Sequence, residues 1–221
     1  MKRTPISTLL VLVSLVILAC STVSLPSLTA AEATPTFPSI PTPPQITQPS
    51  FEADTNTPTN SGLENENLLA ELPDGFKVAY QAEQGNQTIT EMVAESETVD
   101  EWTTMVTVQV YLGQNNLTPA QAQETLTNDW FNACENSEVY PIADGQENGY
   151  DFALWQLYCP LNPATQLEEY TYMKAIAGND SFYLAQVAFR YEPTEADVTQ
   201  WMQYLKQVQV CDSRLAAQAC P

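Results

Sequence analysis

The sequence predicts an α+β fold: an antiparallel sheet built from hairpins, with two main helices packed on it and disulfides stapling it. Three observations carry this expectation. Alternating apolar and polar runs are joined by Gly/Asn-rich turns, two helix starts carry capping residues, and the cysteines after the N-terminal segment form an even set.

Taken in order, residues 76–83 and 88–94 alternate and are separated by Gln84-Gly85-Asn86-Gln87, a hairpin pattern. Residues 99–105 read as a short helix, and Val106-Thr107-Val108-Gln109-Val110-Tyr111 follows as a strand. Thr118-Pro119-Ala120-Gln121 starts a helix, with Thr as N-cap, Pro at the first helical position and Gln three after the cap. It runs to about residue 133, with Ala122, Leu126, Trp130 and Ala133 on one stripe.

A second hairpin joins residues 137–143 to 150–158 across the turn-rich Asp144-Gly145-Gln146-Glu147-Asn148-Gly149. A calcium loop would need Glu at its twelfth place, where Trp155 stands, so a plain turn is the better reading. The third hairpin joins residues 168–177 and 181–191 through a three-residue loop, Gly178-Asn179-Asp180. Pro193-Thr194-Glu195-Ala196-Asp197 then opens the last helix, whose Val198, Trp201, Met202, Leu205 and Val208 repeat at helical spacing and should pack on the sheet.

The N-terminus carries a different message. Met1-Lys2-Arg3 precedes an apolar run over residues 6–19, which is the anatomy of a signal peptide over residues 1–19 and falls short of a spanning helix. The run ends Ile17-Leu18-Ala19-Cys20-Ser21, which resembles the bacterial lipobox. That resemblance implies acylation of Cys20 and an exported, membrane-anchored lipoprotein facing the periplasm or the cell exterior. Stable anchoring needs two or more acyl chains, and the lipoprotein modification supplies three. A rival cut at Ala31-Glu32-Ala33 would make a freely secreted protein, and a retained, uncleaved anchor is the third option.

Residues 20–62 are crowded with Pro, Thr and Ser and hold few long apolar side chains, so they read as a lipidated cysteine followed by a disordered tether. Such a stretch spans between roughly 35 Å as a coil and about 130 Å as polyproline II. Residues 63–221 suit one globular domain.

The formal charge is −20, and after the signal only Lys77, Lys174, Arg190, Lys206 and Arg214 are basic. Nucleic acid is therefore excluded as a partner, since binding it rests on many phosphate-neutralising cations. The chain has no histidine, which removes Ser-His-Asp and Cys-His catalysis and histidine-ligated metals. With 7 glycines, no phosphate-binding loop is found, and no cofactor or metal is expected. Carboxylate pairs among Glu91, Glu95, Glu97, Asp100 and Glu101 leave a glycosidase-type hydrolase as a minor reading.

With Cys20 set aside for lipid, Cys134, Cys159, Cys211 and Cys220 allow three pairings in an oxidising compartment. Counting outward from a turn centred between Gln146 and Glu147 places Cys134 opposite Cys159, a staple across the open end of the hairpin. Cys211 and Cys220 would then tie down the C-terminal tail.

The three-residue loop of the third hairpin puts Met173, Ala175, Tyr183, Ala185, Val187 and Phe189 on a core face. It puts Tyr170, Tyr172, Lys174, Ile176, Leu184, Gln186 and Arg190 on the other, with Glu168 opposite Arg190. Tyr170, Tyr172, Lys174 and Arg190 are thus the candidate binding face, of a chemistry suited to an anionic or sugar-like ligand or a partner protein. A one-residue slip would exchange the faces.

The element order, an early hairpin, a strand, a helix, several antiparallel strands and a final helix, resembles the Mog1/PsbP-type sandwich found in small bacterial lipoproteins. The resemblance implies an extracytoplasmic binding or assembly-assisting module with no catalysis, related in photosynthetic bacteria to photosystem assembly. The expected partners are the membrane, through the lipid, and an envelope protein or small ligand. The alternative is a purely structural envelope lipoprotein.

Overall fold

A computed structural model describes residues 63–221. The signal peptide, Cys20 and the tether lie outside the described residues.

The strands are β1 (Glu66–Leu69), β2 (Phe76–Gln84), β3 (Gln87–Ala94), β4 (Thr104–Leu112), β5 (Glu138–Glu147), β6 (Tyr150–Cys159), β7 (Glu169–Ala177), β8 (Ser181–Phe189) and β9 (Gln209–Asp212). The helices are α1 (Pro119–Ala133), between β4 and β5, and α2 (Glu195–Gln207), between β8 and β9. Seven strands form one antiparallel sheet in the order β2-β3-β4-β8-β7-β6-β5, and β1 pairs with β9 in a separate ribbon.

Both helices start as their sequences dictate. Thr118 Oγ1 accepts the Gln121 N–H at 3.2 Å while Gln121 Oε1 accepts the Thr118 N–H at 3.0 Å. Thr194 and Asp197 repeat this exchange at 3.2 and 2.9 Å. Each pair satisfies two of the orphan N–H groups at the helix start.

The two helices cover opposite faces of the sheet. Ala122 of α1, with Leu126 and Trp130 beside it, packs against Trp155, Leu157, Met173, Ala175 and Leu184. Trp201, Leu205 and Val208 pack against Met92, Val106, Tyr172, Val187 and Phe189, which have the other strand parity. Val198 and Met202 join this second cluster, so the predicted stripe of the last helix is the one observed. On the first helix Ala133 is exposed, so its stripe ends a turn early. The β1–β9 ribbon shares the α2 face, with Val210 buried against Tyr150, Ile176 and Tyr183.

Residues 99–105 do not form the expected helix; β4 already begins at Thr104. Glu97 accepts from both the backbone and the hydroxyl of Thr103, and Thr98 Oγ1 accepts the Glu101 N–H. These side chains offer the backbone partners that compete with a helix.

The Cys134–Cys159 and Cys211–Cys220 disulfides are both present, and the first closes the open end of the β5–β6 hairpin, but from outside β5 and not from opposed strand positions. The β5–β6 turn is Asn148-Gly149, both with positive φ, two residues beyond the expected centre. Cys134 instead caps the C-terminus of α1 and ties that helix to the last residue of β6. Nor is the tail only a disulfide loop: residues 209–212 are β9, paired with β1. That pairing joins segments too far apart for local sequence to show it.

Candidate functional site

The third hairpin has a two-residue loop, so its predicted face is wrong by one register position. Ala177 pairs with Phe182, and the Gly178 N–H donates to the Ser181 carbonyl at 2.9 Å, making Gly178 part of the ladder. The loop is held from β1. The Glu66 carboxylate accepts the N–H groups of Asn179, Asp180 and Ser181 at 2.5, 3.1 and 3.1 Å, and the Tyr183 hydroxyl at 3.0 Å. A distant carboxylate thus shapes the turn.

The slip scatters the four candidate residues. Tyr172 and Lys174 point into the α2 face, 6% and 1% exposed, and form no accessible surface. Lys174 Nζ donates to the carbonyls of Leu205 and Val208 at 2.9 Å each and pairs with the Glu147 carboxylate. Three donors meet three acceptors, which is what an ammonium needs inside a core. Burial lowers the Lys174 pKa, and Glu147 opposes that shift. Tyr170 stacks on Tyr158 with ring centroids 4.6 Å apart, and burial foremost, aided by its contact with Tyr158, pushes its hydroxyl pKa up. Glu168 is not opposite Arg190; in this register Glu169 is, and its carboxylate accepts from Asn162 at 2.7 Å and Thr171 at 3.2 Å.

Arg190, of the four, lines a cleft. It sits at the end of β8, its backbone N–H held by the Thr103 carbonyl at 2.9 Å, and its guanidinium lies 3.8 Å from the ring centroid of Trp102. Nη1 donates to the Asp100 carbonyl at 3.2 Å. Contact of this kind contributes roughly 0.5–1 kcal/mol at an exposed site and more when desolvated. Burial lowers the Arg190 pKa, with Glu169 and Glu97 opposing, yet a guanidinium stays charged throughout.

The cleft, of about 580 Å³, opens between the segment carrying Glu97, Asp100, Glu101 and Trp102 and the loop carrying Thr165 and Leu167. The loop is braced locally: the Gln166 N–H donates to the Asn162 carbonyl at 2.7 Å, with Gln166 in the left-handed region at φ 59°. Arg190 Nε and Thr165 Oγ1 are both buried and lack a hydrogen-bond partner. Five further buried polar atoms without a partner lie elsewhere among the described residues, Trp155 Nε1 and the Tyr150 hydroxyl among them.

Trp102 and Thr165 escaped the reading of the sequence. The available signal was a tryptophan directly after Asp100-Glu101 in a polar stretch, an unusual place for a large aromatic side chain outside a core. Of the acidic residues singled out, Glu97, Asp100 and Glu101 come together at this cleft, whereas Glu91 lies on β3. Among the described residues, no group of three or more Cys, Asp or Glu side chains has the geometry to hold a metal ion.

A second concavity, a trough of about 470 Å³, runs on the α2 face beside β1, over β2, β3 and β4. Its floor includes Val78, Met92, Val108 and Val110, and Leu68 and Leu72 stand at its β1 side.

No protein-family model matches the chain, and no curated protein matches it. Among solved structures, the chain is similar to cyanobacterial PsbP (CyanoP) from Synechocystis sp. PCC 6803, with a TM-score of 0.39 and 8% identity over 72% of this chain and 98% of that one. It is also similar to LpqN, described as involved in cell envelope biogenesis of Mycobacterium tuberculosis, with a TM-score of 0.35 and 8% identity over 68% of this chain and 86% of that one.

Proposed function

We propose that the chain is a lipid-anchored, extracytoplasmic binding module, tethered through Cys20, whose ligand seats in the Trp102–Arg190 cleft. The observation that carries the reading is a polar cleft of about 580 Å³ walled by Trp102 and by Arg190, whose guanidinium lies 3.8 Å from the indole centroid. The compartment half of the reading rests on the two disulfides, which belong to an oxidising environment, and on the lipobox-like segment.

The chemistry of the cleft narrows the ligand. Glu97, Asp100 and Glu101 line it, and Arg190 is neutralised in part by its surroundings, so an anion is disfavoured. A neutral polyol such as a glycan segment fits better: its hydroxyls find polar partners among the residues lining the cleft, and its apolar ring face suits an aromatic wall. The reading involves no catalysis. Both oxygens of Glu97 already hold Thr103, at 3.1 and 2.7 Å, which removes it as a free acid or base.

Calorimetric titration of the protein with soluble envelope-glycan fragments tests this, with Arg190→Ala and Trp102→Ala beside the parent. The expected result is saturable heat with the parent and its loss in both variants while their melting curves stay cooperative. Equal heats in all three proteins, or none in any, would refute the cleft. For the anchor, labelled palmitate is incorporated by the parent and not by Cys20→Ala; equal labelling would sink lipidation at that residue.

A further inference from the structure

Val210 of β9 is buried over β6, β7 and β8, and Asn148, at the β5–β6 turn, donates to its carbonyl at 2.8 Å. The ribbon is therefore oriented with β9 toward β5 and β6. Its other strand, β1, lies toward β4, and β9 is its single hydrogen-bonded neighbour among the described strands. The unpaired edge of β1 thus faces the trough over β2–β4. A row of backbone donors and acceptors and an apolar floor lie side by side, with Val78 half exposed at 50% and Leu112 at 51%.

Sheet edges recruit strands, and natural proteins blunt them where pairing is unwanted. The two edges of the main sheet are blunted here. β2 is broken by a bulge between Val78 and Tyr80, and β5 carries Pro141 and a bulge beside it. The β1 edge, a short one of 4 residues, has neither bulge nor proline, and the chain continues along the trough through Ala70 and Leu72.

Charge defines the occupant. Glu66, at one end of the trough, has its carboxylate fully committed to the β7–β8 turn. The remaining floor is uncharged, but the exposed carboxylates of Glu64, Glu71 and Asp74 flank the β1 segment, and Glu83 stands opposite Thr88 at the far rim. We infer that the free edge of β1 and the trough beneath it dock an extended segment of a partner protein, apolar at alternate residues and flanked by lysine or arginine, which adds a strand to the β1–β9 ribbon. Backbone pairing supplies affinity and the alternate side chains on the floor supply selectivity, as in strand addition generally. This goes beyond the cleft and does not depend on it.

The test uses the detergent-solubilised full chain and a fluorescein-tagged peptide alternating valine and threonine between lysine pairs, read by anisotropy. Saturable binding is expected. It should weaken at least about tenfold when alternate backbone nitrogens are methylated, when glutamate replaces the flanking lysines, or when the chain carries Val78→Asp. Val78 is exposed enough for that variant to fold, and a cooperative melt confirms it. Arg190→Ala should bind the peptide as the parent does, which separates this surface from the cleft. The proposal is overturned by no binding, by equal binding of the methylated peptide, or by equal binding to Val78→Asp. It is also overturned if a dimer of the chain in sedimentation, or phosphatidylglycerol vesicles, occupy the trough in its place, shown by loss of that association in Val78→Asp.

Discussion

The two helices begin alike and end differently. Each opens on a Thr-centred capping box, yet α1 ends in a cysteine cap bonded to β6, and α2 ends over the ammonium of Lys174. The last turn of α1 carries no basic residue, so nothing there answers the negative end of the helix dipole and a covalent bond holds the end instead. At α2, Lys174 answers the dipole and two terminal carbonyls together, with Glu147 balancing the charge from β5. One helix is fixed mainly through its effect on the unfolded chain, the other through electrostatics that exist only in the folded state.

The largest expected effect comes from the second kind. Lys174→Met keeps the apolar stem but leaves Glu147 and two helix carbonyls without their cation, and urea unfolding should show a loss of about 3–5 kcal/mol. Replacing Cys134 and Cys159 together by alanine should cost about 2–4 kcal/mol. Hydrogen exchange sharpens the contrast. In Lys174→Met the amides of α2 and of the neighbouring β9 should lose protection first, whereas loss of the disulfide should lower protection more evenly. If α1 alone opens in the disulfide variant, the contrast drawn between the helices is wrong.

How much of this was legible is clear from the particular residues. The helix starts were readable because a capping box is local, contained within four residues of Thr118 or Thr194. The stripe of α2 was readable for the same reason. The role of Lys174 was not: its acceptors lie on β5 and on the end of α2, and its face depends on a turn that Glu66 shapes from β1. The cysteine pairing was inferred correctly from a register that proved wrong, because the chain leaving α1 delivers Cys134 to the end of β6 regardless of where the hairpin turns.

Smaller effects follow. Gly178→Ala would drive a Cβ into the Glu66 carboxylate and against the Ser181 carbonyl, so the turn must shift and β1 should loosen from the β7–β8 hairpin. Exchange at the amides of Asn179 and Asp180 should accelerate, while α1 stays unaffected. Thr118→Ala and Thr194→Ala should each cost about 1 kcal/mol, nearly equal because the two caps are alike. A large inequality would show that the helix ends are coupled to their starts.

The alkaline limb separates the two regions as well. Six tyrosines, Tyr111, Tyr150, Tyr170, Tyr172, Tyr183 and Tyr204, have raised pKa values, burial being the main cause in each. Tyr150 and Tyr204 move from the ordinary 10.0 to about 12. A raised folded value means that the unfolded chain releases the proton first, so this stability is complete below pH 10.0 and is lost as pH climbs toward about 12. Lys174 acts with the opposite sign, since its lowered value makes the folded state release first below the ordinary 10.5. The tyrosines outnumber it, so the urea midpoint should fall above pH 10.0, and less steeply in Tyr204→Phe.

The sequence by itself determined the fold class, the two helix starts, the chemistries that a chain without histidine cannot perform, and an even set of four cysteines beyond Cys20. All of these follow from composition or from contacts a few residues apart. Only the tertiary structure decided which strand face meets α2, that Lys174 is a buried helix cap, that Arg190 stacks on Trp102 at the wall of a cleft, and that β1 lies over the sheet with an edge unpaired among the described strands. The physical reason is that strand parity turns on a single residue of register. The turn that goes with this register is held by Glu66, a carboxylate on a strand more than a hundred residues upstream.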